Sequence, residues 1–198
     1  MVDPKDITKF DRDPRELEEF WLFCLLVGGG KNADNCAAAL SRLVGQAVFP
    51  FAYLQLLDKD DLLLPALKEC RTGQYTRLGK SIRHACDCLQ RNQEYLSTAT
   101  AEQLELTPGV GCKTSRFFIL HSRADYRVAV LDTHIRQWMK VMGSDIPQQP
   151  PRSKEEYLKY EQECLLLFDT HYPSLSVAET DLHIWSMNSG RTNPELPL

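Results

Sequence analysis

The sequence lacks any apolar run near the roughly 18–20 residues that cross a bilayer, so no membrane span and no membrane partner are expected. It lacks an apolar leader: Met1 to Asp13 is polar and acidic, which does not fit a secretory signal and leads to an intracellular expectation, cytoplasm or nucleoid. It has no C-x-x-C pair. Its seven cysteines, at 24, 36, 70, 86, 88, 112 and 164, are odd in number and scattered, which argues against a disulfide framework or a zinc site. Cys24 and Cys36 lie in apolar helical pattern and read as buried thiols, and Cys86-Asp87-Cys88 alone is a poor metal site. The sequence has no internal repeat, low-complexity tract or heptad run. It also has no excess of positive charge. The net charge of −4 argues against a surface coated for nucleic acid, though not against a local basic face. Lys31, Arg71, Arg77, Lys80, Arg83, Lys113, Arg116, Arg123, Arg127 and Arg136 spread through the middle of the chain while acidic residues crowd both ends. From composition alone, a mixed solvated surface reads equally well.

What is present is ordinary for a globular protein of 198 residues, with 43% hydrophobic and 25% charged side chains. The pattern is helical almost throughout. Asp13-Pro14-Arg15-Glu16 marks a helix start, with an N-cap aspartate and proline in the first turn. Leu17, Phe20, Trp21, Phe23, Cys24, Leu25 and Leu26 then make the helix apolar nearly all round, the pattern of a central buried helix. Gly28-Gly29-Gly30 ends or bends it. Further helices are expected over 32–44, with Ala38, Leu40, Leu43 and Val44 on one side, over 58–70 with a kink at Pro65, over 78–90 and over 98–104. The segment 113–122 follows a hairpin at 107–111. Tyr126 to Leu131 is short and β-like without an evident partner strand. Helices over 132–142, 153–169 and 176–187 follow, the first two separated by the proline-rich loop 143–152. The expected fold class is all-α, with a two-lobed helical arrangement.

Two ionisable residues around the hairpin carry the chemical signal. In Thr107-Pro108-Gly109-Val110-Gly111, proline sets a turn and glycine admits backbone angles closed to other residues. Exposed N–H groups of such a turn, with a helix N-terminus behind them, suit a phosphate oxygen; a plain helix–helix turn has the same look. Lys113 then falls in the first turn of a helix, where a cation is disfavoured by roughly 0.3–1 kcal/mol. A free amine is what a lysine nucleophile requires, and a solvated lysine that tolerates the penalty is the plain alternative. Asp132, in Leu131-Asp132-Thr133-His134-Ile135, sits at an ordinary N-cap position, so capping alone accounts for it unless Lys113 is its partner in chemistry.

The stretch "LTPGVGCKTS" at 106–115 followed by "VAVLDTHI" at 128–135 resembles the helix-hairpin-helix (HhH-GPD) DNA glycosylases, the superfamily of endonuclease III and 8-oxoguanine glycosylase. Its pattern is L-P-G-V-G-x-K-T-A, an apolar stretch, then V-D-T/V-H, and the nineteen positions from Lys113 to Asp132 fit it. Weaker likenesses extend outward through "LLVGGGKNAD" (25–34), "GKSIRHACDCL" (79–89) and "DLHIWSMNSGR" (181–191). Threonine stands where the family has leucine before the hairpin proline. Only Cys164 follows position 112, so the iron–sulfur cluster of the endonuclease III branch has no ligand set. The chain is similar to a minimal, cluster-free member.

The resemblance implies one helical domain over 1–198 with lobes of about 30–125 and of 1–29 plus 126–198, and the hairpin at 104–122. It implies a monomer acting on double-stranded DNA with a damaged base, and an enzyme joining glycosylase to AP lyase activity. Lys113 is then the nucleophile and Asp132 the carboxylate that assists it. Gly109, Val110 and Gly111 would offer N–H groups to a phosphate, and His134 would touch another. Lys31 and Asn32 stand at the duplex-wedge position. Asp181 and Trp185 would line the base pocket. No cofactor is required; carbonyls of Glu105, Thr107 and Val110 would hold a monovalent cation, K⁺ or Na⁺. The favoured substrate is 8-oxoguanine, with oxidised pyrimidines or another modified base as the alternative. A non-catalytic hairpin module that binds DNA is the competing class.

Overall fold

Asp13 begins the first helix as its residue type dictates. Its side chain accepts the Glu16 N–H at 2.8 Å, and the Glu16 carboxylate accepts the Asp13 N–H at 3.1 Å. This capping box and Pro14 at the first position start α1, Pro14–Val27. The computed structural model describes residues 2–28, 31–45 and 47–189. Gly29 and Gly30 of the glycine break, and Gly190 and Arg191 at the end of the last motif, lie outside the described residues. Every side chain from Phe20 to Leu26 is at most 1% exposed, as an all-round apolar helix requires.

Ten further helices follow among the described residues, with no strand. They are α2 (Ala33–Val44), α3 (Pro50–Lys59), α4 (Leu63–Glu69), α5 (Tyr75–Arg91), α6 (Tyr95–Thr98), α7 (Ala101–Glu105), α8 (Cys112–Ser122), α9 (Thr133–Val141), α10 (Lys154–His171) and α11 (Val177–Ser189). The all-α expectation is met. Three local readings change. The expected helix over 58–70 starts only at Leu63, as α4; Asp58 and Lys59 end α3, and Asp60–Leu62, with Asp61 at φ 58°, part the two. Pro65 falls in the first turn of α4, where its missing N–H leaves no bond unmade. Helix α3, started by Pro50, was not expected at all. On α2 it is Ala39, 3% exposed, that joins Leu40, Leu43 and Val44 inside, while Ala38 faces out.

The β-like segment 126–131 is extended but pairs with no strand. Side chains of α10 take that place. The Ala129 N–H donates to Glu161 Oε1 at 3.0 Å, the Leu131 N–H donates to the Tyr157 hydroxyl at 3.1 Å, and that hydroxyl donates to the Ala129 carbonyl at 2.9 Å. Ala129, Val130 and Leu131 are buried, and a buried backbone must find such partners.

The buried apolar residues form two clusters. One gathers Ile7, α1 and residues from Cys36 to Ile119; the other gathers Leu120, residues 129–131 and the inner faces of α9, α10 and α11. The apolar ring of α1 packs in the first of these clusters, with residues from Cys36 to Ile119. Helix α8 borders both clusters, and Phe117 packs against each. Its N-terminal end, with Lys113, thus lies at the seam between the lobes. No described helix is long and apolar enough to cross a membrane.

Candidate active site

The hairpin is fastened from behind. Thr107 is buried, with its hydroxyl 3.2 Å from His84 Nδ1. The Ser81 hydroxyl donates to the Pro108 carbonyl at 2.6 Å, and the Val110 N–H donates to the Thr107 carbonyl at 2.9 Å. Gly109 adopts φ +78°, and a Cβ there would lie 2.7 Å from Cγ and Cδ of Arg77. This position needs glycine for two reasons, backbone angle and space. Arg77 in turn donates to the Leu25 carbonyl at 2.8 Å, joining the hairpin to α1. Gly111 differs. Its φ of −116° is open to any residue, and an added Cβ would meet nothing within 4 Å. It caps α8 without a side-chain hydrogen bond, so the positive end of that helix is left open.

Lys113 is the second residue of α8 and is half-buried. Its ammonium lies 5.0 Å from the centroid of the Phe117 ring, and among the described ion pairs none includes it. Asp132 caps α9, with Oδ1 accepting the Ile135 N–H at 2.9 Å. The capping and chemical readings thus coexist at one residue. The carboxyl of Asp132 holds its proton above the ordinary aspartate range. Burial is the largest cause and the charge of Asp181 the next, opposed by the Ile135 N–H and by Lys113 and His134. Lys113 and Asp132, from different helices, therefore sit within each other's field.

Asp181, on α11, is buried beside them. Its Oδ2 lies 3.2 Å from Nε2 of His121, and its Oδ1 is buried with no hydrogen-bond partner. Trp185, one turn further along α11, is half-buried and edge-on to His134 at 6.1 Å between centroids. His134 Nδ1 is also buried without a hydrogen-bond partner. The structure thus gathers Lys113, Asp132, His134, Asp181 and Trp185 around the ends of α8, α9 and α11, next to the glycine hairpin.

Lys31 and Asn32 are not part of this group. The Lys31 ammonium donates to the Thr72 carbonyl, and burial lowers its proton affinity. The Asn32 side chain caps α2 by accepting the Asn35 N–H at 3.0 Å. Both side chains are occupied within the protein. Of the three carbonyls expected to hold a cation, that of Thr107 already accepts the Val110 N–H, while those of Glu105 and Val110 take none of the described loop bonds. The Glu105 carboxylate is committed elsewhere, to Arg116, to Ser115 at 3.0 Å and to Lys154 at 2.9 Å. Neutral carbonyl oxygens with spare lone pairs suit a hard cation.

Several positioning groups escaped the sequence reading. His121 is fully buried in the run Phe117-Phe118-Ile119-Leu120-His121, and a charged residue or histidine ending an apolar helix face was the only available cue. Arg116, 3% exposed, binds Glu105 and also Glu161 at 3.2 Å. It ties α8 to the helix before the hairpin and to the α10 residue that holds Ala129.

No family model matches the chain. Among solved structures it is similar to the Methanocaldococcus jannaschii 8-oxoguanine glycosylase/lyase in complex with a 15mer DNA containing 8-oxoguanine. The TM-score is 0.67 over 94% of this chain and 87% of that one, at 19% sequence identity. The chain shares that protein's fold, in line with the fold expected from the hairpin and the Leu131-Asp132-Thr133-His134 motif.

Proposed function

We propose that this protein is a base-excision DNA glycosylase with AP lyase activity, acting on an oxidised base in duplex DNA, 8-oxoguanine first. The observation that carries the reading is the pairing of Lys113, at the open N-terminus of α8, with Asp132 at the cap of α9, each in the other's field. Phosphate binding by a hairpin needs neither residue, which is why a non-catalytic module is the weaker reading. The shared fold supports it, since the similar structure is a glycosylase/lyase bound to DNA.

The damaged nucleotide is flipped from the stack at a cost of a few kcal/mol, less at a lesion. As the N-glycosidic bond breaks, its electron pair leaves with the base and positive charge builds on the sugar. The Asp132 carboxylate stabilises that charge and receives the proton that frees the Lys113 amine. The amine attacks C1′; ring opening gives an iminium between C1′ and Nζ. Loss of a C2′ proton then expels the 3′ phosphate by β-elimination. Gly109, Val110 and Gly111 offer N–H groups to a phosphate, and the empty space at Gly111 leaves room for its approach. His134, half-buried on α9, serves a second phosphate. Asp181 and Trp185 border the pocket for the extruded base, with the indole as a stacking face. The carbonyls of Glu105, Thr107 and Val110 would hold a monovalent cation, which would steady the hairpin. A wedge role for Lys31 would begin with release of the Thr72 carbonyl.

Borohydride trapping tests the reading, using duplexes that carry 8-oxoguanine, thymine glycol, uracil or an abasic site. A covalent band on the 8-oxoguanine duplex, absent in Lys113→Gln and much reduced in Asp132→Asn, is expected. A band only on thymine glycol moves the substrate to oxidised pyrimidines. Base release without any band makes the enzyme monofunctional. No band and no base release, with salt-sensitive DNA binding retained, returns the protein to the binding-module class.

A further inference from the structure

His121 has no part in the chemistry above, yet it is fully buried and bonded at both ring nitrogens. Nδ1 lies 2.7 Å from the Thr8 hydroxyl, and Nε2 lies 3.2 Å from Oδ2 of Asp181. The segment bearing Thr8 is strapped across the end of α8. The Lys9 N–H and the Arg12 guanidinium both donate to the His121 carbonyl, at 3.1 and 2.6 Å. Arg12 is itself held at 4.0 Å over the Phe20 ring. On the other side, the His121 ring meets Phe117 edge-on at 5.0 Å between centroids, and the Lys113 ammonium lies over that same Phe117.

The proton positions follow from what each atom can do. An ionised Asp181 only accepts, so Nε2 of His121 carries the hydrogen. In the neutral ring Nδ1 is then an acceptor, and the Thr8 hydroxyl must donate to it. The hydroxyl thereby fixes the tautomer and sharpens the Nε2–H donor. It leaves Asp181 with one oxygen bonded and the other, Oδ1, buried and unpartnered. Helix α11 packs on both α9 and α8, so this carboxylate stands at the junction that holds Asp132 and Lys113.

We infer that Thr8 and His121 are positioning residues for the lysine chemistry: through them the N-terminal segment holds Asp181 as a second carboxylate of the site, set against Asp132. The inference rests on the reading that Lys113 and Asp132 do the chemistry. Its use is in the proton transfer. A carboxylate that must take a proton from a lysine does so faster as its own proton affinity rises. The neighbouring charge of Asp181 raises the proton affinity of Asp132, second only to burial. The other groups facing Asp132 are Lys113 from α8, His134 and Arg136 from its own helix and Cys164 from α10; those facing Asp181 are His121 from α8 and the same Cys164.

The test follows the Asp132 carboxyl by ¹³C NMR across pH in the wild type, Thr8→Val, Thr8→Ser and His121→Phe. The rate of borohydride trapping on an abasic duplex is measured alongside. The expected result is a titration midpoint for Asp132 that moves to lower pH in Thr8→Val and further in His121→Phe, and returns to the wild-type position in Thr8→Ser. Trapping by His121→Phe slows by about tenfold, the scale of one lost charge-assisted hydrogen bond. Midpoints that stay in place while melting temperature falls would overturn the inference and leave His121 a packing residue. If His121→Phe does not fold, the half-buried Thr8 decides through its valine and serine variants. A wild type that traps no DNA overturns the glycosylase reading instead, and the NMR titration still decides whether Thr8 and His121 govern Asp132.

Discussion

The two hairpin glycines should respond oppositely to the same substitution. Alanine at Gly109 must adopt φ +78°, which costs about 1–2 kcal/mol for a residue with a Cβ. The methyl group also lands 2.7 Å from Cγ and Cδ of Arg77. These atoms are mid-chain, so the whole side chain must swing away, and its 2.8 Å bond to the Leu25 carbonyl goes with it. A charge-assisted hydrogen bond of this kind is worth about 1.5–3 kcal/mol. The total for Gly109→Ala is about 2.5–5 kcal/mol, measured by urea unfolding. A double-mutant cycle separates the parts. In an Arg77→Ala background the clash is gone, and only the backbone strain of about 1–2 kcal/mol should remain. Equal costs in both backgrounds would refute the clash, and a total under about 1 kcal/mol would refute the strain as well. Gly111→Ala, with ordinary backbone angles and open space around its Cβ, should change stability by less than about 0.5 kcal/mol. It should nevertheless weaken DNA binding in a salt titration, because the space it fills is the approach to the end of α8.

Arg116→Ala leaves the buried Glu161 without its cation and the half-buried Glu105 with Lys154 alone, and should cost about 3–5 kcal/mol in chemical denaturation; a loss below about 1 kcal/mol would show that the network is not needed. Tyr157→Phe strips partners from the buried Leu131 N–H and Ala129 carbonyl and should cost about 2–4 kcal/mol, whereas an unchanged unfolding midpoint would mean that water replaces the hydroxyl. Asp132→Asn tests the sign of a titration. Burial and Asp181 raise the folded-state proton affinity of Asp132 above its unfolded value, so its contribution to stability is present in acid and lost as pH rises through the folded pKa. Asparagine keeps the cap and carries no charge, so the variant should melt above the wild type at neutral pH, with the gap closing as pH falls. A gap that widens on acidification would show that Asp132 is stabilised, not strained, as the anion.

Sequence legibility followed the range of the interactions. The start of α1, the hairpin and the Asp132 cap are set by residues three or four apart, and each stood where its residue types put it. Asp181 and Trp185 could be placed only through the family likeness, yet they do stand beside His134 and Asp132. Helix α3 was hidden because its apolar residues point both ways: Phe51 and Leu54 are buried, while Phe49, Tyr53 and Leu56 are exposed, which blurs the period that marks a helix. The role of Lys31 could not be read, since its partner, the Thr72 carbonyl, is a backbone atom of a distant turn. The bond from Thr8 to His121 spans 113 positions, and that from His121 to Asp181 spans 60. A threonine and a histidine so far apart leave no local pattern.

The distance between the lysine and the aspartate is set by an element that carries neither. Residues 123–131, which join α8 to α9, form no helix or strand and cannot fix their own course. Helix α10 fixes it for them, through Glu161 on Ala129 and Tyr157 on both Ala129 and Leu131, the residue before Asp132. The same Glu161 binds Arg116, three positions past Lys113 on α8. One carboxylate of α10 therefore grips the arm that bears the lysine and the arm that bears the aspartate. A chemical pair must be held within about 0.5 Å of its working geometry by groups that are themselves locked. On the proposed chemistry, this accounts for a Glu161 kept buried despite the burial that raises its proton affinity, a cost that a purely structural contact between helices could have avoided with an apolar side chain.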